Sequence, residues 1–370
     1  MRLLVTGVSG LIGSNVAAAA SQQSWSVVGT WRHTPVSLLG ARTVQLDVTD
    51  RHACVALAEE LEPDVVVHAG APSGDGRLER DSQLADADEL GVENTLAAAR
   101  AVRAHYSLVS CDLVFGGARP SGECWDEEDL PKPTTALGRS LLAREELVRR
   151  FGGSWSITRP ADVYGVNLAI PGGGTIPGGG AIPGRGEVRA LFPHDPSPAQ
   201  GGADERPAEG GAEERARYVW ERSGQPLHWV TSLRAGRLLL APAGVRRTPT
   251  YAWDYAQRLC ELIAQECEGV FNMAGPTILG RLAQMRLLAR AFGCEMELVR
   301  DGPVAPLLPA NTALCDRKTT FVLGHTAVDP FSGYRLMRRQ LERVLPPPTR
   351  IDPSTASRVS PTSPLVVANG

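Results

Sequence analysis

The sequence predicts an α/β fold: one doubly wound parallel sheet with helices on both faces, followed by a smaller C-terminal α/β lobe. Three observations point to it. Short β-branched apolar runs alternate with longer helical patterns through the first 166 residues, as repeated strand–helix–strand units require. Runs such as "RLLVTG" and "DVVVHAG" are apolar along most of their length, which suits strands covered on both sides. A glycine-rich turn joins the first strand to the first helix.

"RLLVTG" (2–7) reads as the first strand and "LIGSNVAAAASQQ" as the helix after it. "SVVGTW" (26–31) and "TVQLD" (43–47) follow as strands, "RHACVALAEELE" as a helix and "DVVVHAG" (64–70) as the next strand. A helix over 86–104 leads to a strand within "YSLVSCDLVF" (106–115). "PTTALGRSLLAREELVRR" (133–150) reads as an amphipathic helix with its opening turn. Leu137, Leu141 and Leu142 share one face; Arg139, Arg144, Glu145 and Glu146 fall largely on the other, with Arg139 and Glu145 reading either as near a reactive face or as solvated. "SWSITRP" (154–160) is the sixth strand.

Then the pattern breaks. Residues 170–187 repeat a six-residue unit as IPGGGT, IPGGGA and IPGRGE, and the chain continues in Pro, Gly, Ala, Asp and Glu toward Arg215. Such composition buries too little apolar surface to offset chain entropy. Residues 167–214 therefore read as a mobile insertion, either a plain linker or a lid or partner-binding loop. Order returns with a helical stretch at 218–236, the strand "RLLLAPAG", helices at 252–266, 279–292 and 333–344, and the strand "GVFNMAG" (269–275). Residues 346–370 are rich in Pro, Ser and Thr and read as a disordered tail.

Hydrophobic content of 43%, charged content of 21% and a net charge of −3 over 370 residues describe a soluble globular protein, with no general attraction to nucleic acid or acidic lipid. No apolar stretch is long enough to span a membrane, and the glycine-broken N-terminus does not read as a signal peptide. The seven cysteines form no CxxC pair, so neither a disulfide framework nor a zinc or other metal site is expected, and a cytoplasmic setting is. Of the 38 basic residues only Lys132 and Lys318 are lysines.

"VTGVSGLIGSNVA" sets Gly7, Gly10 and Gly13 between the first strand and first helix. Glycine at the first position permits a tight turn, at the second lets backbone approach a pyrophosphate, and at the third lets helix pack on strand. Exposed N–H groups and the positive helix end would then receive phosphates. The second strand ends in "GTWRHT", without the carboxylate that holds the ribose of NAD. Arg32 there suits the 2′-phosphate of NADP, or is a solvated surface arginine.

Together these motifs resemble the extended short-chain dehydrogenase/reductases, and within them the dTDP-4-dehydrorhamnose reductase group. The resemblance rests on TGxxGxxG (6–13), "LDVTD" (46–50), "HAGAPS" (68–73), "SCDLVFGG" (110–117), "WDEEDLPKPTTALGRSLLAREE" (125–146) and "ITRPADVYG" (157–165). It continues in "GVRRTPTYAWDYA", "GVFNMAG" and "LPANTALCDRKTTFVLG". It implies an NAD(P)-binding Rossmann domain (1–166), interrupted by the insertion (167–214), and a smaller substrate-binding lobe (215–345) with return segments to the sheet. It implies cofactor contacts at Gly7, Ser9, Gly10, Leu11, Ile12, Gly13, Arg32, Asp47, Val48, His68, Ala69 and Gly70, with NADP favoured over NAD. It also implies diphosphate or sugar contacts at Arg247, Thr250 and Tyr251, which otherwise read as a surface turn.

Family members reduce a ketone with a tyrosine as proton donor and a lysine one helical turn later. Here those positions hold Leu137 and Leu141, and none of the six tyrosines has a lysine four residues on. The family's Ser/Thr site matches Cys111, with Ser110 beside it, and the asparagine of the preceding helix matches Gly91, with Asn94 nearby. Ser110, Cys111 and Asp112 at a strand's C-terminal end are the remaining candidates for chemistry. Cys111 reads either as a nucleophile or as a small buried residue, and His68 either as a base or as a packed or phosphate-facing ring.

Two functions fit. One is an atypical reductase-like enzyme acting on a nucleotide-linked sugar or similar polar metabolite, by changed redox or non-redox chemistry. The other is an NADP-binding regulatory or partner subunit without turnover, working with another protein or as a homodimer.

Overall fold

The computed structural model describes residues 1–70, 82–120, 122–172, 222–305 and 308–344. The stretch of the insertion beyond Gly172, the tail and residues 71–73 of the "HAGAPS" motif lie outside them. Seven strands form one all-parallel sheet: β1 (Arg2–Thr6), β2 (Ser26–Trp31), β3 (Arg42–Gln45), β4 (Val65–His68), β5 (His105–Val109), β6 (Trp155–Arg159) and β7 (Gly269–Asn272). Their order is β7-β6-β5-β4-β1-β2-β3. The helices of the first half are α1 (Leu11–Gln22), α2 (Arg51–Leu61), α3 (Ser82–Val102) and α4 (Ala136–Arg149). The second half adds α5 (Gln225–Arg234), α6 (Ala252–Ala264), α7 (Arg281–Phe292), α8 (Arg317–Leu323) and α9 (Pro330–Val344). The architecture is the Rossmann-type α/β fold that the alternating pattern predicts.

The pleat sorts each strand's side chains between two cores. Leu3, Val5, Val27, Val65 and Val67 pack with α1, α6 and the second-half helices. Leu4, Val28, Val66, Leu108 and Ile157 pack with Val92, Leu96 and Ala99 of α3 and Val148 of α4. With both faces covered, the strands have no need of polar alternation. The edge strand β7 comes from the distant "GVFNMAG" segment, where Gly269–Asn272 pairs with Ser156–Arg159.

A short parallel pairing of 163–164 with 250–251 joins the second half to the segment after β6, and 246–247 pairs with 279–280 within the second half. Residues 167–172, part of the composition-defined insertion, are held in place. Asn167 is buried and donates from Nδ2 to the Ser9 carbonyl (2.9 Å), and Ile170–Pro171 pairs antiparallel with Val36–Ser37. No helix among the described residues is long and apolar enough to cross a membrane.

Candidate functional site

The glycine turn has two glycines fixed by packing and one that is not. Gly7 sits at φ +76°, and a Cβ there would lie 2.8 Å from the Gly70 backbone. A Cβ on Gly13 would lie 2.4 Å from the Gly7 carbonyl oxygen, so only glycine lets α1 start this close to β1. Gly10 has φ −90°, which any residue adopts, and its added Cβ would meet only the Gly7 oxygen, at 3.3 Å. Gly10 caps α1 without a side-chain hydrogen bond, and no acidic residue occupies the first turn. Leu11 and Ile12 are half-buried, while Ser14 and Asn15 turn inward. Ser14 donates to the Leu11 carbonyl (3.0 Å), and Asn15 to those of Leu11 (2.8 Å) and Val166 (3.0 Å). An uncapped, positively polarised helix end beside a glycine turn suits a diphosphate.

At the end of β2, Arg32 Nε donates to Asp47 Oδ2 at 3.0 Å, both side chains being near half exposed. The other Asp47 oxygen accepts from the Thr49 amide (3.0 Å) and hydroxyl (2.8 Å). Partial burial works to raise the Asp47 carboxyl, but the Thr49 bonds and the Arg32 charge outweigh it and hold it below the usual carboxylate range. The Val48 carbonyl accepts from Asn94 (3.0 Å), and a Cβ on Gly91 would lie 2.8 Å from the Val48 side chain. Glycine at 91 thus lets α3 pack against Val48, where an asparagine would collide.

His68 is 1% exposed, its Nδ1 within 3.2 Å of both the Thr6 and Thr95 hydroxyls. Burial, aided by the nearby Arg144 charge, pushes it down to about 3, so the ring is neutral at ordinary pH. Ala69 and Gly70 are half-buried, and the Gly70 carbonyl accepts from Arg144 Nη2 at 3.0 Å.

The two leucines of α4 enclose an apolar cluster. Leu141 is buried with Val114, Phe115, Ala161, Ala274 and Leu314, and Leu137, Leu142, Cys111 and Trp125 pack against it. Around this cluster every candidate for chemistry is committed. Ser110 donates to Glu145 Oε1 (2.6 Å). Cys111 Sγ accepts from the Leu113 amide (3.4 Å), and burial together with the Asp112 charge raises its thiol far above the ordinary range. Asp112 is buried against Arg247 Nε (3.3 Å) and the Thr312 hydroxyl; burial raises its carboxyl despite both.

The solvated face expected for α4 is corrected at two positions. Arg144 is fully buried, bonded to Asp88 (3.0 Å) and the Gly70 carbonyl. Glu145 is also fully buried and accepts from Ser110, Arg149 and Arg159. Only Arg139 and Glu146 of the four stand in solvent. Charged residues are buried this way when each has a partner, and apart from Arg149 on the same helix those partners lie on α3, β6 and the strand ends.

Arg247, Thr250 and Tyr251 are likewise buried. Arg247 donates to the carbonyls of Arg246 (2.7 Å), Pro309 (2.9 Å) and Ala310 (3.3 Å), besides pairing with Asp112. Thr250 donates to the Ala161 carbonyl (2.8 Å), and Tyr251 to Gln340 (3.1 Å). Beside them lies a group the sequence did not flag. Asp162, at φ +45°, accepts from Arg281 (2.9 Å) and Gln284. Burial works to raise its carboxyl, but Arg281 and Arg247 hold it below the usual range. Its one sequence signal is position, directly after a strand of the sheet. Among the described residues, no group of three or more His, Cys, Asp or Glu is arranged to hold a metal.

Residues 1–169 match the family described as RmlD substrate binding domain. Methionine adenosyltransferase 2 subunit beta of Rattus norvegicus is 29% identical over 167 residues, 44% of this chain and 47% of that protein. A Haloferax volcanii protein described as "Probable low-salt glycan biosynthesis reductase Agl14" is 32% identical over 169 residues, 45% of this chain and 54% of that one. The chain spans about half the length of the curated relatives it matches. The crystal structure of dTDP-4-dehydrorhamnose reductase from Bacillus anthracis, in complex with NADP, has the same fold. Its TM-score is 0.66 at 15% identity, with 92% of this chain and 99% of that chain covered.

Proposed function

From an N-terminal half that belongs to the extended short-chain dehydrogenase/reductase superfamily, we propose that the protein binds a nicotinamide dinucleotide and serves as a regulatory or partner subunit without ketone reduction. The observation that carries this reading is the apolar cluster at Leu137 and Leu141. A ketone reduction needs an acid that donates a proton as hydride arrives, with a pKa near the working pH. Neither leucine has a proton to give, the Cys111 thiol beside them is kept protonated by burial, and Ser110, Asp112 and Glu145 are each held in a hydrogen bond or ion pair.

The binding half of the reading rests on the glycine turn. The amides of Ser9, Gly10, Leu11 and Ile12 at the uncapped α1 end would hold the diphosphate, with Ala69 and Gly70 closing the opposite wall. Arg32 would exchange Asp47 for the 2′-phosphate of NADP, since an exposed pair of this kind is weak. When bound, the cofactor would supply a hydride, and the chain would hold it without offering the matching proton. Similarity to a methionine adenosyltransferase subunit supports a protein partner, and the free cysteines suit the cytoplasm. A nucleotide-linked sugar remains the ligand class for the second half, at Arg247, Thr250 and Tyr251 as the family resemblance implies.

The test is calorimetric titration with NADPH, NADP and NADH, run beside absorbance of NADPH with a nucleotide-linked keto sugar. NADPH binds more tightly than NADH, Arg32→Ala removes about a tenfold preference, and absorbance holds steady. Failure to bind any of the three overturns the binding reading, and steady NADPH consumption overturns the non-catalytic one.

A further inference from the structure

A concave surface lies at the end of the sheet where the strands begin, opposite to the glycine turn. It is a cleft of about 420 Å³, lined by Arg100, Arg103 and Ala104 around the end of α3 and by residues 151–154 between α4 and β6. That volume falls within the roughly 300–1,000 Å³ of small-molecule sites. Two of the lining residues are arginines and none is acidic. The neighbouring Arg149 and Arg150 pair with Glu145 and Glu146, but among the described residues no ion pair holds Arg100 or Arg103. Arg100 is set in place, because Nη2 donates to the Phe151 carbonyl (2.7 Å) and the guanidinium lies 5.4 Å from the centre of the buried Phe151 ring. Ser154 Oγ is 2.7 Å from His105 Nδ1, and His105 Nε2 is 3.0 Å from Ser156 Oγ, so the Ser154 hydroxyl is fixed as well. Burial holds His105 below its ordinary range despite the charges of Glu266 and Glu268. The positive charge of the cleft is therefore that of the two arginines. The C-terminal ends of α3 and α4 each bring about half a negative charge, which two guanidinium groups outweigh.

We infer that this cleft binds a small phosphate-bearing anion. The planar donor forks of Arg100 and Arg103 match phosphate oxygens in both geometry and charge. Only one guanidinium nitrogen of Arg100 is tied to the protein, and an arginine carries five N–H donors. The opposite wall is open to a ligand, since a Cβ added to Gly152 would meet nothing within 4 Å. The carboxylates that act on His105, Glu266 and Glu268, are not among the lining residues, so the anion sits at the arginine end. A phosphate held there joins the end of α3 to the turn after α4.

The site is read by titrating the full chain with inorganic phosphate and with glucose 1-phosphate, at an ionic strength held constant with chloride so that screening does not change. Heat is followed by calorimetry, and amide exchange by peptides covering 100–106 and 150–156. The expected result is saturable binding of one anion per chain in the millimolar range, with exchange slowed in those two peptides. Arg103 is exposed, so Arg103→Gln should leave Tm unchanged while weakening phosphate about tenfold, and Arg103→Lys should keep most of the affinity. Tighter binding of the sugar phosphate assigns the cleft to a phosphorylated metabolite, and equal binding assigns it to free phosphate. Heat that never saturates, slowed exchange confined to the glycine turn at 6–13, or wild-type affinity in Arg103→Gln overturns the assignment. None of these outcomes depends on whether NADPH binds.

Discussion

Glu145 and Arg159 form a two-pronged ion pair that solvent does not reach. Nε and Nη2 of the arginine lie 2.8 and 2.6 Å from the two carboxylate oxygens, with side-chain exposures of 1% and 0%. The pair fastens α4 to β6, one turn beyond Leu141 and two beyond Leu137. Helix α4 is thus held by buried charge at one end and hydrocarbon at the other, which makes it a structural member whatever its chemistry.

Glu145→Gln keeps the shape but leaves the Arg159 charge buried without its counter-ion. Removing one partner of such a pair costs about 3–5 kcal/mol, to be read from urea unfolding. The carboxyl is held below the usual range: burial opposes this, and the hydrogen bonds and charge of Arg159 outweigh it. Its contribution is therefore complete above the unfolded-state pKa and is lost as pH falls through the lower folded value. The variant should show a flatter acid limb than the wild type.

His68 acts in the same direction by the opposite logic. Its folded value of about 3 lies below the ordinary 6.5, so between these the unfolded chain takes up a proton that the folded one refuses. Stability is whole above pH 6.5 and declines by up to about 1.4 kcal/mol per pH unit below it. Unfolding midpoints of wild type and His68→Asn, compared from pH 7.5 to 4.5, should diverge in slope by about one proton.

The glycines separate fold from binding. Gly13→Ala forces a Cβ to within 2.4 Å of the Gly7 oxygen and should lower stability by several kcal/mol, on the order of other overpacked sites. Gly10→Ala asks its neighbour to yield only a few tenths of an ångström. It should leave Tm nearly unchanged while weakening NADPH about tenfold or more in calorimetry, because its methyl stands where the diphosphate would approach.

Restoring the family pair is the sharpest probe of the apolar cluster. Leu141→Lys places an amine among Val114, Phe115 and Leu314, at a cost of several kcal/mol or a strongly lowered pKa. Leu137→Tyr, at a half-buried position, should be tolerated. The double variant should bind NADPH as the wild type does and still not reduce a keto sugar. Turnover in the double variant would mean that the surrounding pocket is intact and only the donor pair is missing.

Much of the fold is legible because it follows from local pattern. "SVVGTW" folds as the strand 26–31, and the helices at 11–22 and 51–61 end within a residue of where periodicity puts them. Asp50 and Thr135 start α2 and α4 by accepting from Ala53 and Gly138, as N-caps do. What pattern does not carry is partnership across the chain. Arg144 and Glu145 look like solvent residues until Asp88 and Arg159 arrive from elsewhere. Gly91 looks like a lost asparagine until Val48 fills the space. The helix at 317–323 escaped notice because only Thr319 of it is buried, so no periodic stripe marks it. Asp162 shows its left-handed backbone only in three dimensions.

The amide of Asn167 donates to the Ser223 hydroxyl at 2.8 Å, and Gly172 is tied to Pro35 a few residues later. The departing and returning ends of the glycine-rich stretch are thereby pinned to the same body, like the two stitches that hold a pocket to a coat. What is sewn between such stitches can change in length or content while the garment keeps its cut, because closing a longer loop adds only about 0.6 kcal/mol per doubling. The seam at Asn167 and Ser223 makes this a port in the fold, where a sequence can be taken out or another put in without refashioning the sheet.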